Sequence, residues 1–449
     1  MTSDLAQTSD VSGPSAPSLL TRFRQFTLSK AALAFVDQCA VSGQAFLTLL
    51  LMGTLADLAQ VGAFAIALSV IVIALAVQDA AITRPYTIQL HAPIGSARGH
   101  LLASFRLSLA LAGVISLAVL VFSIFLVVKG RPSDGQIAIA LALALPGAML
   151  REFGRRVSFA HERSLEALMI DAPAVCIGLV GIVMLGLTGH LSAATGLLVL
   201  AATNFTAGAC WIMAKGLVCA NEKVETTPVA VASWAMGRWL IVNQIAIQVQ
   251  GYTTQWFALI FLGVHATGVL AASLSIIAFA NPILFGLFNI MIPKSARVFR
   301  QSGNQGVLKR ALRDSAVLVG LMFVFCIVIT VFGQQIMSAL YPKTGDTWHL
   351  LIVLAVSAML ASAGAPAAIA LASANKAANL ALVAGFAALF NLAIVVVLMP
   401  IGGLLGAAYG TLLAELVGTA GRWIALYRAV GFRSGDFSKN EPEVLRHAG

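Results

Sequence analysis

Apolar stretches of about 20 residues recur along the whole chain between short polar or basic segments, and each is long enough to cross roughly 30 Å of hydrocarbon. The pattern predicts twelve helical spans: Ala31–Gly53, Val61–Thr83, Leu101–Val128, Ile137–Phe153, Ala167–Thr188, Ser192–Cys219, Gly237–Leu262, Gly268–Ile292, Ser315–Leu340, His349–Ser373, Ala377–Met399 and Gly403–Val430. The short alternating segments of a membrane barrel are missing, so the predicted fold is all-α and polytopic. Pro146, Pro173, Pro282 and Pro366 fall within spans, where each frees a carbonyl and can kink its helix.

The polar positions inside the spans repeat. FVDQCAVSGQ at Phe35–Gln44 returns as IVNQIAIQVQ at Ile241–Gln250, an offset of 206 that also carries Thr48 to Thr254, Gly62 to Gly268 and Ser69 to Ser275. TAGACW at Thr206–Trp211 is echoed by TAGRW at Thr419–Trp423. Two ordered matches at nearly one offset indicate an internal duplication, with an N-lobe at 31–220, a linker at 221–236 and a C-lobe at 237–430, flanked by a segment at 1–30 and a tail at 431–449. An even number of spans separates the copies, so the two six-helix lobes are parallel repeats, related by an axis along the membrane normal, with a site expected where they meet. That arrangement is typical of alternating-access carriers.

On the first span Asp37, Val41, Gln44 and Thr48 form one helical stripe; on the seventh Asn243, Ile247, Gln250 and Thr254 form its counterpart, with Gln244 and Gln248 beside it and Gln38 beside Asp37. Polar groups avoid lipid, so the stripes are expected to line a cleft between the lobes or to tie neighbouring helices together.

Composition agrees with the hydropathy. Hydrophobic residues make up 59% of the 449 positions and charged residues 10%, with a mean hydropathy of +0.92, which excludes an ordinary soluble domain. Of 28 Lys and Arg residues, 25 fall on the even-numbered connections and the tails; only Lys129, Arg131 and Lys343 lie opposite. This bias predicts cytoplasmic termini, and it accounts for the net charge of +10 without nucleic acid. The first 30 residues are polar, then basic, so no cleavable leader is expected. The basic connections after the fourth and eighth spans suggest short helices lying at the membrane surface. Five cysteines without metal-type spacing read as small buried apolar groups, and no metal site is predicted.

The candidate ion-coupling groups are Asp37, Asp79 and Glu415. Asp37 and Asp79 lie near the basic ends of their spans, where either could carry a proton or a cation, or pair with Arg84 or Arg106. Glu415 comes about twelve residues into its span, near the bilayer centre, so it must be protonated, paired or facing water. Arg422, seven residues on, is too far for an ideal helical pair. Arg84, Arg106, Arg151, Lys215, Arg238 and Arg422 all sit at the basic ends of spans, where topology alone explains them. Arg84 and Arg238 also continue polar helix faces and are the candidates for a pyrophosphate headgroup. No nucleotide-binding loop and no hydrolase motif is present, so no catalytic residue is assigned.

The stretch Ala32–Val70 resembles the opening of the polysaccharide transporters, the Wzx-type flippase branch of the multidrug/oligosaccharidyl-lipid/polysaccharide exporter superfamily. The matching positions are Asp37, Gln38, Ser42, Phe46, Gly62, Phe64 and Ala67; Met52-Gly53 stands where that family often has Ala-Arg, which removes a cation. The resemblance implies a V-shaped, two-lobed membrane protein moving an isoprenoid-pyrophosphate-linked oligosaccharide to the outer leaflet of a bacterial inner membrane. It further implies a monomer without a bound cofactor, with H+ or Na+ as candidate coupling ions and membrane lipid and other polysaccharide assembly proteins as partners. A cation-coupled multidrug exporter of the same superfamily is the alternative, and a membrane glycan polymerase or ligase a third reading.

Overall fold

The computed structural model describes residues 30–90, 94–217, 225–374 and 376–431. The expected segment at 1–30 and the tail at 431–449 therefore fall almost wholly outside the described residues, and the expected linker partly so.

Ten long helices carry the described chain: α1 Lys30–Leu55, α2 Leu58–Gln78, α3 Ala97–Val128, α4 Pro132–Ala160, α5 Ser164–Leu187, α6 Ala193–Ala214, α7 Thr226–Ile277, α8 Asn281–Leu340, α9 Trp348–Ser373 and α10 Ala377–Gly431. A π turn at Asp79–Thr83 and a short helix at Arg84–Ile88 prolong α2. Gly263 (φ 87°), Gly303 (φ 59°) and Gly403 (φ 58°) break the long C-terminal helices in a left-handed conformation that favours glycine. The runs 240–340 and 378–429 thereby divide, so nine apolar stretches supply twelve helical segments among the described residues. The expected surface helices are instead membrane helices continued: the basic run after the fourth span is the end of α4, and the one after the eighth is helical up to Gly303.

Burial separates the helices by role. In α3 only 11% of the most apolar window is covered, and Leu117, Val121 and Phe125 project outward, as on a lipid-facing helix. In α4 the figure is 72%, so α4 is the centre of the N-lobe. Glycines bring α4 and α6 together: a Cβ on Gly147 would lie 2.9 Å from the Phe205 nitrogen, and one on Gly208 would lie 3.0 Å from the Arg151 nitrogen. In α10, Gly406 packs on the Leu398 carbonyl and Gly410 on Val395, which holds the two halves of this hairpin against each other. With this all-helical, two-lobed arrangement the chain is a multi-pass membrane protein.

The lobes meet through paired positions of the repeat. A Cβ on Gly62 would strike the Val264 carbonyl, and one on Gly268 would strike the Leu58 carbonyl. At the offset of 206 these are one contact made twice, as a two-fold axis requires. From there one seam runs along α2 and α7, where Trp256 Nε1 donates to Ser69 Oγ at 2.8 Å and Gly237 packs on Ala80. The other runs along α1 and the helix that follows Gly263, through Phe46 on Phe279 (5.8 Å between rings) and Phe35 on Gly286, the counterpart of Ala80. Beyond the glycines, Lys343 Nζ donates to the Ala56 carbonyl at 2.6 Å.

Backbone cannot yield as a flexible side chain does, so Gly62→Ala and Gly268→Ala are each expected to destabilise the protein by about 1–3 kcal/mol. Gly43, whose Cβ would meet nothing within 4 Å, is the control. Gly43→Ala should be neutral or raise stability by up to about 1 kcal/mol. Thermal unfolding of the three variants in one detergent checks this.

Candidate functional site

Each lobe encloses its own cavity, and the two cavities are built on the same frame. The N-lobe cavity, about 180 Å³, takes Val41, Gln44, Thr48 and Leu68 from α1 and α2. The C-lobe cavity, about 500 Å³, takes their repeat counterparts Ile247, Gln250, Thr254 and Leu274. The amide stripes predicted to face a cleft between the lobes thus point into the lobes themselves.

What fills the two frames differs. In the N-lobe, α4 presents Arg151 and Arg155 one turn apart on the same face. Arg151 Nε donates to Asp171 Oδ1 at 2.7 Å, and its Nη1 donates to Asn204 Oδ1 at 2.6 Å and to Gln44 Oε1 at 3.3 Å. Arg155 Nε donates to Asp37 Oδ2 at 3.1 Å, and its Nη2 donates to Gln38 Oε1 at 3.2 Å. The same Nε lies 2.9 Å from Asp171 Oδ2, an ion pair without hydrogen-bond alignment. The result is an alternating chain, Arg151–Asp171–Arg155–Asp37, whose carboxylates are fully buried and whose guanidinium side chains are 11% exposed. Glu152 at its outer edge takes Arg156 Nε at 2.6 Å. Opposite charges alternate, so each buried ion is neutralised by a neighbour, the condition under which such charges persist away from water. Two polar atoms remain without partners, Asp37 Oδ1 and Gln44 Nε2.

The C-lobe carries one ion pair. Glu415 Oε2 accepts from Arg422 Nη2 at 3.3 Å, and Glu415 Oε1 accepts from Gln250 Nε2 at 3.4 Å. The seven-residue separation, judged too long from the sequence, is two helical turns on one face, and the arginine side chain spans it. Asn391 Nδ2 donates to the Gln250 carbonyl at 3.0 Å, and the Thr254 and Thr411 hydroxyls lie 2.9 Å apart.

The remaining predicted residues lie elsewhere. Asp79 takes Arg84 Nε at 2.6 Å and the Thr83 hydroxyl at 2.8 Å beside the π turn, so both expected residues of the second span are paired with each other. Arg238 is exposed on the first turns of α7; Gln244 and Gln248 are half-buried and line neither cavity. The side chain of Asn243 lies outside the described residues. Cys39, Cys176, Cys210 and Cys326 are free thiols, and among the described residues no group of His, Cys, Asp or Glu is placed to hold a metal. Sequence reasoning passed over Asp171 and Asn204, and it took Arg151 and Arg155 for topological charges. The signal was available: an aspartate inside an apolar span, and two arginines four apart.

Removing one partner of a buried pair leaves an uncompensated ion, which costs about 3–5 kcal/mol; an exposed pair contributes under about 1 kcal/mol. Asp171→Asn should therefore destabilise strongly, whereas Asp134→Asn, which breaks the exposed Arg131–Asp134 pair, should have little effect. Denaturation of the two variants side by side measures the contrast.

No family model matches the chain, and no curated protein matches it. Solved structures do. An inward-facing multidrug resistance MATE family transporter of the MOP superfamily is 14% identical, with a TM-score of 0.70 over 91% of this chain and 97% of that one. The lipid II flippase MurJ in an inward closed conformation is 13% identical, with a TM-score of 0.65 over 88% of this chain and 87% of that one. A MOP superfamily transporter from Pyrococcus furiosus, described as having a binding pocket of reversed polarity, is 13% identical, with a TM-score of 0.64 over 89% of this chain and 94% of that one. The chain has the fold of the MOP superfamily transporters.

Proposed function

We propose that the protein is an alternating-access flippase that carries an anionic, lipid-linked oligosaccharide across a bacterial inner membrane for surface polysaccharide assembly. The observation that carries this reading is the pair of guanidinium groups, Arg151 and Arg155, in the wall of the N-lobe cavity. A phosphate- or carboxylate-bearing cargo can compete with Asp171 and Asp37 for those two forks, because guanidinium matches both anions in bidentate geometry. A cationic drug has no such use for the guanidinium groups and would draw on Asp171, Asp37 and Glu152 instead. Amides at Gln38, Gln44 and Gln250 supply both donors and acceptors, the chemistry that sugar hydroxyls need. The fold shared with a lipid II flippase supports the reading, as does the likeness of the first two spans to the polysaccharide transporters.

Rocking of the lobes about the Gly62–Gly268 contact would open the seams by turns, while the lipid tail stays in the bilayer. H+ or Na+ binding at Asp37 or Glu415 would favour one state, and it shifts the balance only by its differential affinity for the two. The cation-coupled multidrug exporter is the competing reading; it draws on the same carboxylates and on the fold shared with MATE transporters.

A deletion strain separates the two. Lipid-linked oligosaccharide should accumulate on the cytoplasmic leaflet and surface polysaccharide should be lost, with unchanged sensitivity to cationic dyes. Normal glycan export together with new dye sensitivity would instead establish the drug exporter. Complementation with Asp37→Asn and Glu415→Gln then tests coupling: at least one should lose transport or its pH dependence, and full retention of both in the two variants would sink the coupling assignment.

A further inference from the structure

A third cavity, about 500 Å³, opens at the basic end of the N-lobe, away from both the seams and the two lobe cavities. Tyr86, Arg98, His100, His161, Arg163 and Lys215 form its polar wall. These residues come from the end of α2, the start of α3, the turn between α4 and α5, and the end of α6, so the site exists only in the folded lobe. Arg163 and Lys215 share one carboxylate there, and that carboxylate is already engaged. Glu166 Oε1 accepts from Trp211 Nε1 at 2.6 Å and from Ser158 Oγ at 3.0 Å, and Lys215 Nζ lies 2.8 Å from it. Arg163 reaches Glu166 only at 3.6 Å, with its side chain 58% exposed. The wall therefore carries a positive excess.

His100 points to a ligand independently of that charge. It is 1% exposed and lies on the cavity wall, and neither ring nitrogen has a hydrogen-bond partner. Its ring is stacked on Tyr86 at 5.4 Å, and the Tyr86 hydroxyl is itself hydrogen-bonded to His161 Nε2 at 2.9 Å. A buried polar group left unmatched is costly, and native folds rarely keep one without a use. An acceptor oxygen placed in the cavity would take the imidazole N–H and face the Arg163 guanidinium at once.

We propose that this cavity binds a phosphate group, either the headgroup of an acidic membrane lipid or a free phosphate ester. The chemistry is that of a phosphate oxyanion between the Arg163 guanidinium and the Lys215 ammonium, with a histidine donor behind. The volume exceeds what a bare anion needs, leaving room for a headgroup. Basic pockets between membrane helices on this side of the bilayer are a recurrent form of lipid headgroup site. The inference does not depend on the cargo proposed above.

The test uses the full-length protein. It is reconstituted in vesicles of phosphatidylcholine with or without phosphatidylglycerol, extracted, and examined by native mass spectrometry for retained lipid. In parallel, detergent-solubilised protein is titrated with inorganic phosphate and with glycerol 3-phosphate while its thermal unfolding is followed. Retention of phosphatidylglycerol without a response to the soluble phosphates assigns the site to lipid; a saturable response to the soluble phosphates assigns it to a free phosphate ester. In either case His100→Phe, which keeps the aromatic stack, and Arg163→Gln should weaken binding about tenfold or more. Arg131→Gln, at an exposed cation on a different connection, should leave binding unchanged. If His100→Phe does not fold, the exposed Arg163 decides alone. Absence of binding by every probe, or binding by Arg163→Gln equal to that of the unsubstituted protein, overturns the proposal.

Discussion

The alternating chain Arg151–Asp171–Arg155–Asp37 constrains everything around it. Four largely buried charges from three helices sit together, and each is tolerable only while its neighbour stays within about 3 Å. α1, α4 and α5 therefore cannot part from one another without stranding ions, and Asn204 ties α6 to the same group. The glycines that bring α4 against α6 serve this constraint, because only a close approach lets Arg151 reach across. The N-lobe is in consequence one stiff body.

The seams between the lobes are of another kind. They are made of glycine on backbone, aromatic edges, an indole hydrogen bond and, at one end, the exposed Lys343 on the Ala56 carbonyl, and none of these contacts is a buried ion pair. Parting two such surfaces exposes apolar area to lipid, which costs little, whereas parting the ionic chain strands charge. Among the described contacts, the seam around Gly62 and Gly268 is therefore less costly to separate than the charge-locked interior of the N-lobe.

Duplication gave both lobes the same frame, and chemistry then diverged within it. Gln44 and Gln250, or Thr48 and Thr254, occupy matching places in matching cavities. One cavity holds two arginines with their carboxylates, and the other a single Glu415–Arg422 pair. The two halves of the molecule are thus alike in frame and different in charge.

Span positions, the all-helical class, the repeat and the polar faces of the first and seventh spans were all legible from the chain alone. Each depends on hydropathy or on spacing along one helix, and both are local. Partnership was not legible. REFGRR looks like a cytoplasmic loop because a charge run normally lies in water; it belongs instead to the most buried helix of the lobe, since Asp37 on α1 and Asp171 on α5 neutralise its arginines. Asp171 was hidden in an otherwise apolar span, and the direction of the amide stripes, into each lobe rather than between them, needed the packing of neighbouring helices. The sequence by itself determined what crosses the membrane and how often; the tertiary structure decided which charges meet, because a buried ion is defined by its partner and the partners lie on different helices.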